Sequence, residues 1–152
     1  MPPVLEDSRR LTGPNLVSPG PGAVVEARVD AADRERLLEA WEHRARQVLE
    51  GVGWSAERTF TRVHRTGLSL AMSAPIDSLY AATEVNEWAF AAALADLAGL
   101  VPGEDPEAAA ARLSDVIAAE SNPALLALRD AAAGRGVTFL ADVAWHRVHD
   151  VP

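Results

Sequence analysis

The chain has 152 residues, carries a formal net charge of −8, and has no cysteine and no lysine, so all 14 of its Lys-plus-Arg positions are Arg. That length suits one domain around one core. The charge makes non-specific nucleic-acid binding unfavourable, because such binding works mainly through phosphate neutralisation. Without Cys there are no disulfides and no thiolate metal sites.

No apolar run reaches the roughly 18 residues of a membrane span, and the start, Met1-Pro2-Pro3-Val4-Leu5-Glu6-Asp7, has no basic region followed by an apolar one. Neither membrane nor nucleic acid is expected as a partner, and a cytoplasmic location is expected. Hydrophobic residues make up 49% of the chain, much of it Ala, so its four Trp are the expected large wedges of the core.

Residues 1–22 read as an irregular segment packed on the domain. Pro14, Pro19 and Pro21 with Gly13, Gly20 and Gly22 interrupt any period, while Leu11, Leu16 and Val17 can pin the segment to the surface. Residues 23–152 read as a single α+β domain. Ala23 to Val29 alternates as a strand. Asp30, with Asp33 three residues on, opens a helix running to about Gly51, whose Leu37, Trp41, Ala45, Val48 and Val52 fall on one stripe.

Thr59 to His64 and Leu68 to Met72 alternate around an Arg65-Thr66-Gly67 turn. A long helix is expected from about Ile76 to Leu97, stopped by Gly99. Asp105-Pro106-Glu107 and Asn122-Pro123 are cap-then-proline starts for two more helices. Val137 to Leu140 reads as a last short strand. The order β-α-β-β-α-α-α-β implies a small antiparallel sheet covered by helices, in a split β-α-β (ferredoxin-like) layout with extra helices.

Three groups of residues carry possible chemistry. Glu84 and Glu87, three apart on a helix, can share a proton or ligate a hard metal; the ordinary alternative is a solvated acidic face. Thr83 and Asn86 add a polar surround, whereas Tyr80 and Trp88 are expected in the core. Arg9, Arg10 and Asn15 near the start, with Arg62 and Arg65 at the hairpin, can hold carboxylates, since Arg binds them bidentately; surface ion pairs with the excess acids are the alternative.

His43, His64, His146 and His149 show no His-x-x-x-His spacing. Ser69 and Ser73 lack a Gly-x-Ser-x-Gly frame, and a P-loop has no Lys to fill it. No metal site and no cofactor is therefore expected within this chain.

Arg10-Leu11-Thr12-Gly13-Pro14-Asn15-Leu16 resembles the opening of cyanophycin synthetases and related Mur-ligase-like proteins. Two further stretches extend the likeness: Glu84 to Ala89 with Leu94 to Gly99, and Asn122 to Leu128 with Gly136 to Leu140. The resemblance implies an N-terminal domain ahead of an ATP-dependent, magnesium-using ligase part that joins amino acids into an Asp–Arg polymer.

ATP and Mg would belong to that part, which is expected beyond Pro152 or in another chain. The implied partners are those ligase domains and an Asp/Arg-rich peptide or polymer. Some family members carry a His-x-x-Glu-His metal helix for hydrolysis. Here Glu84, Glu87 and Trp88 stand at its three positions, and Trp cannot ligate a metal. A non-catalytic, substrate-binding accessory domain is therefore the expected function, with a metal-dependent hydrolase and a protein–protein interaction module as alternatives.

Overall fold

A computed structural model describes residues 1–135, and the expected strand at 137–140 and His146 and His149 lie outside them. The elements are β1 (Val4–Leu11), β2 (Gly22–Arg28), α1 (Ala31–Gly51), β3 (Thr59–His64), β4 (Gly67–Ser73), α2 (Leu79–Leu97), α3 (Pro106–Glu120) and α4 (Pro123–Gly134). The four strands form one antiparallel sheet in the order β1-β2-β4-β3, so the fold is α+β as its patterning implies. Since β2 and β3 are both antiparallel to β4, they run parallel to each other with α1 crossing between them. That is the split β-α-β unit. No helix among the described residues is long and apolar enough to cross a membrane.

The irregular segment expected at residues 1–22 is corrected in its first half. Val4–Leu11 forms β1 and takes the sheet edge beside β2. Its sequence, VLEDSRRL, lacks apolar alternation because most of it faces water. The prolines and glycines that argue against regular structure fall in the loop after it, except Gly22, which opens β2. Leu11 is buried and Val17 packs on the same small cluster with Val24, Ala71 and Phe60, whereas Leu16 is 86% exposed.

The main core lies between the helices and one face of the sheet. Ala23, Val25, Ala27, Leu68, Leu70 and Met72 meet Leu37, Trp41, Ala45, Val48 and Leu49 of α1 and Val85, Ala89 and Phe90 of α2. Strand period 2 places the first set on one side, and helix period 3.6 gathers the others into stripes. Gly67 opens β4 where its backbone passes so close to β2 that a Cβ would collide with the Ala27 carbonyl. Gly99, at φ +71°, ends α2 in a conformation that favours glycine.

Asp105 and Asn122 cap α3 and α4 as their sequences imply, accepting from the amides of Ala108 at 2.8 Å and Leu125 at 3.1 Å. Asp30 precedes α1 but makes no such bond, its carboxylate accepting instead from the Met1 amine at 3.2 Å. The start of α2 moves from Ile76 to Leu79, and its cap comes from far away. Glu120, closing α3, accepts from the amides of Tyr80 (3.0 Å) and Ala81 (2.7 Å), placing a carboxylate on the positive end of the helix. Buried Asp77 returns the link by accepting from the Asn122 amide at 2.6 Å.

Candidate functional site

Glu84 and Glu87 lie on the outer side of α2 and line a groove of ≈ 380 Å³ with Trp88, Pro102, Glu104 and Arg112. Arg112, from α3, grips Glu104 through Nε at 2.9 Å and Nη2 at 3.0 Å, and its Nη1 stands 3.6 Å from Glu84. Hydrogen bonding to Arg112 holds the Glu104 carboxyl below the usual carboxylate range. Glu84 thus has the Arg112 guanidinium as a charged neighbour.

Among the described residues, no group of three His, Cys, Asp or Glu could hold a metal ion. Trp88 is 6% exposed, and its indole N–H donates to the Glu104 carbonyl at 3.0 Å, a core wedge as expected. Tyr80 is not in the core. It is 37% exposed, with the Arg10 guanidinium 4.2 Å above its ring.

The polar surround expected of Thr83 and Asn86 does not form. The Thr83 hydroxyl donates back to the Tyr80 carbonyl at 2.6 Å. Asn86 points the other way, into the core, with no exposed surface. Its Oδ1 accepts from the Trp41 indole N–H at 2.8 Å, and its Nδ2 donates to the carbonyls of Leu70 at 2.9 Å and Ala23 at 3.4 Å. The register places both carbonyls in the β2–β4 ladder, so Asn86 uses their second lone pairs. A residue expected to touch substrate instead ties α1, α2 and the sheet together.

The arginines expected to cluster are separated by the pleat of β1. Arg9 faces the helix-free side, 2.9 Å from Asp7 and 3.9 Å from Glu26, while Arg10 faces α2. Arg9 and Arg62 stand on β1 and β3, three strand spacings or about 14 Å apart. Asn15 is occupied within its own loop. Its side chain accepts from the amides of Val17 and Ser18, both at 2.8 Å, and donates to the Gly13 carbonyl at 3.0 Å.

Of the arginines expected to cluster, those of the β3–β4 hairpin have no polar partner among the described residues. Arg62 on β3 and Arg65 in the turn are exposed, as is Arg58 just before β3, which sequence reasoning did not single out. Among the described residues none of these three side chains has a hydrogen bond or an ion pair. Arg9, Arg28, Arg36, Arg44, Arg112 and Arg129 each hold a carboxylate. Beside the three, on the helix-free face, Glu26 accepts from the Ser69 hydroxyl at 3.0 Å and lies 3.7 Å from the His64 ring. Strand alternation places Glu26 and Ser69 on that face, but only the register β2↔β4 brings them opposite each other. An exposed set of uncommitted guanidinium groups can take carboxylates bidentately.

The chain matches no protein-family model, no curated protein and no solved structure.

Proposed function

We propose that this chain is a non-catalytic accessory domain of a cyanophycin-synthetase-like, ATP-dependent amino-acid ligase, working in the cytoplasm. It binds a carboxylate-bearing peptide or polymer at the β3–β4 hairpin, through Arg62 and Arg65. ATP and magnesium belong to ligase domains of the same or another polypeptide. The reading is supported above all by these two arginines having no hydrogen bond or ion pair among the described residues, in a chain rich in acidic residues. The sequence motifs around Leu11, Glu84 and Asn122 support the ligase association, and the Glu84–Arg112 contact supports a non-catalytic role.

Calorimetric titration with a short poly-aspartate peptide at low salt tests it. Wild type should bind. The double variant Arg62→Glu/Arg65→Glu should bind at least about tenfold more weakly, because losing a charge-assisted contact costs about 1.4 kcal/mol or more. Equal affinity of the two proteins would remove the binding role from the hairpin.

A further inference from the structure

The free edge of β3 has its hydrogen-bonding pattern fixed by the ladder on its other side. The Ser73 amide donates to the Arg58 carbonyl at 2.8 Å, and the β3–β4 register pairs Phe60 with Ala71, Arg62 with Ser69 and His64 with Gly67. In an antiparallel ladder the hydrogen-bonded pairs alternate, so the backbone groups of Phe60, Arg62 and His64 face β4. Those of Thr59, Thr61 and Val63 face outward. Among the described residues nothing pairs with them.

The side chains alternate as well. Arg58, Phe60, Arg62 and His64 share the helix-free face, and Thr59, Thr61 and Val63 share the other, with Val63 55% exposed.

The opposite edge of the sheet is blunted. In β1 a bulge interrupts the register between Leu5 and Asp7, and Glu6 and Asp7 pair with Arg28 and Arg9. The β3–β4 register runs without a shift, and among the described residues the exposed Arg58, Arg62 and Arg65 have no ion pair and share one sign. A second copy of this chain added there would bring two sets of arginines together along one seam, which like-charge repulsion opposes. A strand of opposite charge meets no such opposition.

We propose that the β3 edge takes up an extended acidic peptide as a fifth strand. Its alternate Asp or Glu side chains lie beside Arg58 and Arg62, and its intervening β-branched side chains lie against Val63. The inference rests on the carboxylate-binding role proposed for the hairpin and adds the mode of binding. Backbone pairing supplies affinity, and the alternation supplies specificity, as in other cases of strand addition. Cross-strand neighbours at about 5 Å put each acid within reach of an arginine.

The test uses the full chain and a fluorescent, alternating Glu-Val peptide, followed by anisotropy. A second peptide carries N-methyl groups on the amides that would face β3. It keeps every charge but cannot donate to the edge. The protein variant Thr61→Pro removes one outward N–H that β4 does not use, a placement that edge strands tolerate. The parent peptide should bind wild type, and both the methylated peptide and Thr61→Pro should weaken binding at least about tenfold, with circular dichroism unchanged.

Equal binding of the parent and methylated peptides would overturn strand addition while leaving carboxylate binding intact, and it does so even if Thr61→Pro fails to fold. No binding of any acidic peptide at low salt would overturn both readings. Self-association abolished by Thr61→Pro would assign the edge to a second copy and also overturn the proposal.

Discussion

The two sides of the β2–β4 pair differ in how their polar groups are used. Towards the helices, Trp41 is fully buried and its indole N–H is matched by Asn86, which also reaches two ladder carbonyls. A buried polar group without a partner costs several times what a made hydrogen bond returns, so this region allows little slack. Beyond β4, the hairpin leaves Arg58, Arg62 and Arg65 exposed and, among the described residues, unpaired. Solvated charges cost the fold almost nothing. Stability therefore constrains the first region tightly and the second barely at all. The proposed binding side chains sit where stability does not require them.

The largest expected effect breaks the buried side. Trp41→Ala should cost about 3–5 kcal/mol in denaturant unfolding, through lost area and the cavity left behind. A loss under about 1 kcal/mol would mean that the site collapses without penalty. Asn86→Ala should cost about 1–3 kcal/mol, because the Trp41 N–H is left buried and unpaired. A double-mutant cycle with Trp41→Phe sharpens this result, since the two changes should be clearly less than additive.

The half-buried pair between Arg44 and Asp96 comes next, with its two hydrogen bonds of 2.8 and 2.7 Å. Hydrogen bonding to Arg44 holds the Asp96 carboxyl below the usual range. A carboxylate whose folded pKa is depressed contributes stability above its unfolded pKa of about 4, and loses that contribution as the pH falls through the folded value. Arg44→Gln should therefore cost on the order of 1 kcal/mol at neutral pH, with the gap from wild type closing in acid. A constant gap in thermal midpoint from pH 7 to the acid limb would assign the effect to packing. The smallest effect marks the other region. Arg62→Glu/Arg65→Glu should change stability by no more than about 0.5 kcal/mol, as exposed sites usually do, while losing peptide affinity.

The strands β2 and β4 and the stripe of α1 were legible because one face of each is apolar and the period shows, and β3 because its β-branched and aromatic residues precede a Gly-containing turn. The caps of α3 and α4 were legible because Asp-Pro and Asn-Pro are local signals. β1 was not, since an edge strand with polar residues on both faces shows no period. Asn86 was misread because its partner Trp41 lies 45 positions away, and the cap of α2 because Glu120 lies about as far. Arg62 and Arg65 were placed correctly at the hairpin. Their separation from Arg9 and Arg10 depends on the strand order, which no local pattern carries. The Glu84–Arg112 contact likewise needed α3 to be set against α2.

Mapping amide chemical shifts while titrating an acidic alternating peptide into the isotope-labelled full chain tests the central claim most directly. The separation of a binding edge from a structural core requires the shifts to concentrate at residues 58–65 and to leave Trp41, Asn86 and the Glu84–Glu104 groove in place. Shifts centred on Glu84, Glu87 and Trp88 would contradict it and move the site to the α2–α3 groove.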